Sequence, residues 1–275
     1  MTAVGDSSAH DRAEWLRTSV GASTPDSIIL RGRDLAAEVM GVMSFGELAF
    51  FLVAGRVPSE GEAHLFNAVL VSLADHGLTP SALAARLTYT GAPESLQGAI
   101  AAGLLGGGSV FLGPVEDTAR FLHGITTALP AAPMGEEDME RAAEAAVRAA
   151  IESGQRVPGL GHPIHRDADP RTPRLYQLAE EAGLVGPHLR LLRMVSDAHR
   201  RITNRGLPIN GAGAAGAALA DLGFPPTVVR GFALLARTAG LVAHLAEESE
   251  RPIGMPLWKE IDRRAVYEGP DDPHG

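Results

Sequence analysis

Cysteine is missing from all 275 residues, which excludes disulfides, thiolate metal sites and a cysteine nucleophile. Aromatic residues make up only 5% of the chain while glycine occurs 32 times, so helices can approach closely with few bulky spacers. Positive charge is also short: 24 Lys and Arg stand against 33 Asp and Glu, a formal charge of −9. General binding to nucleic acid or to an anionic membrane needs a basic surplus on one face, so neither is expected and any anion must be met by a local basic pocket. The stretch from Met1 to Arg12 is polar and lacks the apolar segment of a secretory signal, so a cytoplasmic protein is the expectation.

What is present is a globular balance, 45% hydrophobic and 21% charged, in a length that buries one large core or a large and a small one. The pattern reads as helix after helix. The exception is a short strand-like piece over 26–34, ending at Gly32. A helix over 44–54 closes at Gly55 and Pro58, and Ser59 with Glu62 has the spacing of a capping box for the next. That helix ends in Ala74-Asp75-His76-Gly77, where His76 reads as a helix-end cap or as a functional group. Thr79-Pro80 starts another helix. Helical pattern from Pro93 then runs into the glycine run at 106–114. This run lacks the Lys-Ser/Thr of a phosphate loop and is expected to be a hinge or packing corner. Helices over 115–128, 136–153, 174–182, 187–203 and 226–248 complete the pattern.

The most informative stretch is Val157 to Arg171, V-P-G-L-G-H-P-I-H-R-D-A-D-P-R. Three prolines and two glycines exclude an interior helix, so this is a shaped loop. It holds His162, His165, Arg166 and Arg171 near one another. That set suits a small anion, because arginine grips carboxylates bidentately and histidine moves a proton near neutrality. A second stretch, Asn204 to Ala220, places Asn210 as a helix cap before a run of glycine and alanine that lets a ligand or a neighbouring helix come close. Arg237 sits in an otherwise apolar helical run, where an unpaired charge is costly. It therefore requires an anion from the protein or a substrate.

These residues carry a resemblance. A-D-H-G at 74–77, P-G-L-G-H-P at 158–163, D-P-R at 169–171, L-P-I-N at 207–210 and G-F-A-L-L-A-R-T-A-G-L-V-A-H-L-A-E-E at 231–248 occur in the order seen in the citrate synthase superfamily. The short citryl-CoA lyase branch and the C-terminal module of ATP-citrate lyase are the nearest likeness. The resemblance implies a mainly α, citrate-synthase-like two-domain fold in a homodimer. Its large domain would be 1–112 with 223–275 and its small domain 113–222, with the active site between them. It implies a coenzyme A thioester as substrate and no metal. His162 and His76 are the implied catalytic histidines, the first at the hydroxyl or carbonyl oxygen and the second at a carboxylate. Arg171, Arg237, His165 and Asn210 are implied to bind substrate, and Arg205, Gly159 and Gly161 to meet coenzyme A.

Two positions depart from the family pattern. Phe111 stands where synthases have a histidine that polarises the thioester, as in the lyase module of ATP-citrate lyase. Ala212 stands where the family has the aspartate that moves the proton on the acetyl carbon. Asp169, His165 and Glu247 are the candidates for a relocated acid. The expectation is a lyase that cleaves a hydroxy-polycarboxylyl-CoA to acetyl-CoA and an oxoacid such as oxaloacetate. A synthase running the condensation and a non-catalytic binder of CoA esters or carboxylates are the alternatives.

Overall fold

The computed structural model describes residues 17–129, 135–267 and 269, and these are mainly α-helical, as the sequence predicts. The chain forms two compact units divided between Asn67 and Ala68. The boundaries expected at 112/113 and 222/223 both fall inside the second.

In the first unit, the strand-like piece is two strands around a turn. β2 (Ile28–Leu30) and β3 (Arg33–Asp34) pair antiparallel, and an unforeseen β1 (Gly21–Ser23) joins β2 on its other side. Arg31 and Gly32 make the turn with φ of 49° and 83°. α1 (Phe45–Ala54) starts at a full capping box between Ser44 and Glu47 and stops at Gly55 in the left-handed region. α2 (Glu60–Ala74) starts at the box expected from Ser59 and Glu62, with bonds of 2.8 and 3.3 Å. Phe50 and Phe66 meet edge to face at 5.5 Å in this unit's core.

The second unit is built from α3 (Pro80–Gly91), α4 (Leu96–Phe111), α5 (Pro114–Ala128), α6 (Glu136–Glu152), α7 (Arg171–Glu181), α8 (Pro187–Thr203), α9 (Gly211–Asp221), α10 (Pro226–Glu250) and α11 (Gly254–Arg264). α10 packs on α3, α4 and α5, and buries Leu241 and Leu245 against Ala85 and Ala99. By length and apolar composition α10 is long enough to cross a bilayer. Ten of its 25 residues, Phe232 and Leu241 among them, are buried in this unit. The glycine-alanine helix α9 lies on α5 and α8. A β-carbon at Gly216 would come within 2.3 Å of the Val115 carbonyl oxygen, so only glycine permits this backbone contact. The glycine run is the corner it was expected to be. α4 continues through Gly106 and Gly107, breaks at Gly108 (φ 49°, ψ −156°), and α5 leaves at a 41° bend. α7 begins at Arg171, three residues before the expected start, and α11 was not anticipated.

Candidate active site

The loop from Val157 to Pro170 and the segment Leu207 to Asn210 form one substructure. Leu160 pairs with Ile209 in an antiparallel bridge, the Gly161 N–H donates to the Pro208 carbonyl at 2.8 Å, and the Asn210 N–H donates to the Gly159 carbonyl at 2.9 Å. Asn210 caps α9 by accepting from the Gly213 N–H at 2.8 Å, while its side-chain amide donates to the Gly161 carbonyl at 2.7 Å. Gly213 is needed because a β-carbon there would lie 2.6 Å from the α-carbon of Gly159. Gly159, Gly161 and Asn210 thus hold the loop in shape with their backbones and one amide.

The loop presents its two histidines to His76, which follows α2. The His76 and His165 Nε2 atoms are 3.3 Å apart, and the His162 and His165 rings stack with centroids at 4.5 Å. His162 lies 5.3 Å from His76 between ring centroids. Its Nδ1 accepts from the N–H groups of Ile164 and His165, both at 3.1 Å. Two donors on Nδ1 leave that nitrogen bare, so the neutral ring carries its proton on Nε2. Burial, followed by the neighbouring His165, lowers the pKa of His162 from its ordinary value. His76 is lowered too, by burial first and then by Arg171, His165 and Arg237. The site therefore favours neutral imidazoles while it is surrounded by positive charge.

The two arginines differ. Arg171 grips Asp169 bidentately, Nε to Oδ1 at 3.0 Å and Nη2 to Oδ2 at 2.7 Å, and Nη1 donates to the Ser72 carbonyl. Asp169 is buried and also accepts from the Gly211 N–H at 2.7 Å. Burial alone would raise its pKa, but the Arg171 side chain and the Gly211 N–H hold it well below the ordinary carboxylate range. Arg171 passes so close over Gly211 that a β-carbon there would lie 2.3 Å from Nε. Arg237 is 9% exposed, yet its Nε and Nη1 have no hydrogen-bond partner. Its nearest carboxylate, Asp75, is 4.0 Å from Nη1. Burial lowers its pKa from the ordinary value and Asp75 only partly offsets this.

Sequence reasoning missed the chain of groups behind Arg237. Asp75 accepts from the Gly77 N–H at 2.9 Å and from His244 Nε2 at 2.9 Å. His244 must donate there, because its Nδ1 accepts from Arg86 Nε at 3.2 Å. Arg86, 2% exposed, pairs with Glu247 and, at 3.0 Å, with the buried Glu248. The sequence signal for this chain was Arg86 and His244 on otherwise apolar helix faces. Beside the histidine loop lies a polar cleft of about 310 Å³ lined by Arg166, Asp167, Ser196, Arg200 and the turn from Gly206 to Pro208. Arg205 is exposed in that same turn but is not part of the cleft wall.

The three histidines each place a ring nitrogen within 4.8 Å of the others, close enough to share a metal ion. His162 fits that role poorly. A metal-bound histidine normally donates its second N–H outward, whereas the second nitrogen here accepts two bonds. Arg171 and Arg237 add positive charge at the same place. An anion with several oxygens suits this set better than a cation.

Residues 13–257 match the model of the citrate synthase, C-terminal domain, and the chain belongs to the citrate synthase family. Among solved structures, citryl-CoA lyase from Hydrogenobacter thermophilus superposes with a TM-score of 0.82 at 30% identity, covering 93% of this chain and 95% of that one. ATP citrate lyase of Methanosaeta concilii, in complex with citryl-CoA, shares the fold with a TM-score of 0.73 at 22% identity over 98% of this chain and 45% of its own. Citrate synthase of Haloferax volcanii is 25% identical over 223 residues, 81% of this chain and 54% of that protein. The chain spans about half the length of the curated relatives that it matches.

Proposed function

We propose that this protein is a citryl-CoA-lyase-like carbon–carbon lyase, which cleaves the CoA thioester of a hydroxy-polycarboxylic acid to acetyl-CoA and an oxoacid such as oxaloacetate. The observation that carries this reading is Arg237, a buried guanidinium with two unbonded nitrogens beside the cluster of His76, His162 and His165. A buried polar group without a partner is rare and costly, and a substrate carboxylate would satisfy it. The bound ligands of related structures, citryl-CoA in one and citrate with coenzyme A in another, support the same substrate class.

In this reading Arg237 and the free edge of Arg171 clamp carboxylates, and His76 donates to one of them. His162, with its proton on Nε2, donates to the oxygen that changes between hydroxyl and carbonyl and stabilises charge there. The cleft with Arg166 and Arg200 takes the coenzyme A phosphates, with Arg205 at its margin. No metal takes part, and the division into 1–112 with 223–275 and 113–222 gives the closing domains. Cleavage and condensation share one transition state, so the site would run either way according to concentrations. Phe111 and the likeness to the Hydrogenobacter enzyme favour cleavage.

The test is release of acetyl-CoA from citryl-CoA by the purified protein, followed by liquid chromatography. Release is the expected result. Binding of coenzyme A and oxaloacetate without any release would instead support the non-catalytic reading that Ala212 suggests, and absence of both would defeat the proposal.

A further inference from the structure

The family aspartate is missing, and the structure narrows what replaces it. Between Gly211 and Leu219, Ala212 alone is not buried, so the position where the family has its acid carries a partly exposed methyl group. Two of the three substitutes are committed elsewhere. Asp169 is buried and spends both oxygens on Arg171 and Gly211. Glu247 is bound to Arg86, ten residues along α10 from Arg237, a rise of about 15 Å. His162 cannot act as the base, since its Nε2 carries a proton and its Nδ1 is held by two backbone N–H groups.

One lone pair remains. Across the 3.3 Å Nε2–Nε2 contact of His76 and His165, one ring supplies the N–H and the other accepts it. His76 keeps an N–H for a substrate carboxylate only if its Nε2 is the acceptor, so in the lyase reading His165 donates across this contact from Nε2 and its own Nδ1 is left bare.

We infer that His165 is the proton carrier that stands in for the missing aspartate, serving both the substrate hydroxyl and the acetyl carbon. This rests on the lyase reading above. His165 Nδ1 takes the proton of the tertiary hydroxyl, and the O–H electron pair becomes the second bond of the new carbonyl. The carbon–carbon bond breaks, and its electron pair passes to the thioester fragment as an enolate. The imidazolium returns its proton to that carbon, forming the methyl group of acetyl-CoA and regenerating neutral His165. No other co-reactant is consumed.

The experiment compares wild type, His165→Gln, and the double variant His165→Gln/Ala212→Asp. Three readouts are used: citryl-CoA cleavage, exchange of acetyl-CoA methyl protons in deuterated water with oxaloacetate present, and oxaloacetate binding by calorimetry. Wild type is expected to cleave and exchange. His165→Gln should lose both by about 10²- to 10⁴-fold, the usual worth of a positioned acid or base, while binding oxaloacetate within a few fold of wild type. The double variant should regain part of the exchange, because Ala212→Asp restores a carboxylate at the partly exposed position of α9 where the family has one. Wild-type rates in His165→Gln overturn the inference and leave the lyase reading intact. A wild type that binds oxaloacetate and coenzyme A but neither cleaves nor exchanges overturns it in favour of a binding protein. A wild type that binds neither ligand removes the lyase reading itself.

Discussion

Arg171 and Arg237 look equivalent in the sequence, each a cation in a stretch that calls for an anion, yet their surroundings predict opposite behaviour. Replacing Arg237 by Met removes a buried cation whose Nε and Nη1 are unbonded, and Asp75 keeps its bonds from Gly77 and His244. The ligand-free variant should therefore be more stable, by about 1–3 kcal/mol, the cost of an unsatisfied buried group, while carboxylate binding weakens by about 2–5 kcal/mol. Arg171→Met should weaken binding similarly but also destabilise the fold, by about 3–5 kcal/mol, because it strands the buried Asp169. Denaturant unfolding without ligand separates the two, and equal shifts for both would show that Arg237 is not poised for a ligand. Titration gives a second check at this scale. His76 and His162 have lowered pKa values in the folded protein, against about 6.5 when unfolded. Their contribution to stability is thus fully present above about pH 6.5 and is lost as pH falls through the lowered folded values. A bound carboxylate offsets the neighbouring positive charge and raises both values, so binding should take up protons and tighten as pH falls from 8 to 6. Calorimetry in buffers of different ionisation enthalpy measures that uptake. The grouping of His76 with His162 and His165 was legible because the motifs carry it. The bare nitrogen of His165 was not, since it follows from the contact between the His76 and His165 rings.

Helix starts were legible wherever the cap is local. Ser44, Ser59, Thr79 and Asn210 each accept from the N–H three residues ahead. α11 went unread because its cap comes from another helix. Glu248, on α10, accepts the N–H groups of Ile253 and Gly254 at 3.0 and 2.7 Å and at the same time pairs with Arg86. One buried carboxylate therefore ties α3, α10 and α11 together, and no window of sequence shows it. Glu248→Gln should cost about 3–5 kcal/mol by breaking a buried ion pair and loosen Gly254–Arg264 in hydrogen exchange. Unchanged protection of α11 would mean that its packing alone holds it. The glycine-alanine helix was read correctly as a close-packing element, but its neighbour was not specified. Gly216→Ala would push a β-carbon to 2.3 Å from a backbone oxygen of α5, which cannot rotate away. A loss of about 1–3 kcal/mol is expected, whereas substitution at the open Ala212 should be tolerated.

On the scale of the whole molecule, the surface carries an uncharged face that the described residues leave exposed. α4 has no charged residue in sixteen positions, and Leu105 is 81% and Val110 74% exposed on it. α10, packed against α4, adds the exposed Ala239, Val242 and Ala243. A surface helix normally turns charged residues outward, and a chain with a net charge of −9 has acidic groups to spare for that purpose. Their absence from α4 and from residues 238–243 of α10 marks a contact surface. A second copy is its simplest occupant, because a twofold pair places the same uncharged face against itself without bringing the acidic surfaces together. The chain is therefore expected to be a homodimer at micromolar concentration. Leu105→Glu should split it by putting like charges against each other at the joint, while leaving the monomer folded because that side chain touches solvent. Sedimentation checks both statements. A wild type that runs only as a 28.7 kDa species would refute the dimer, and a Leu105→Glu variant that stays dimeric would move the interface to a different face.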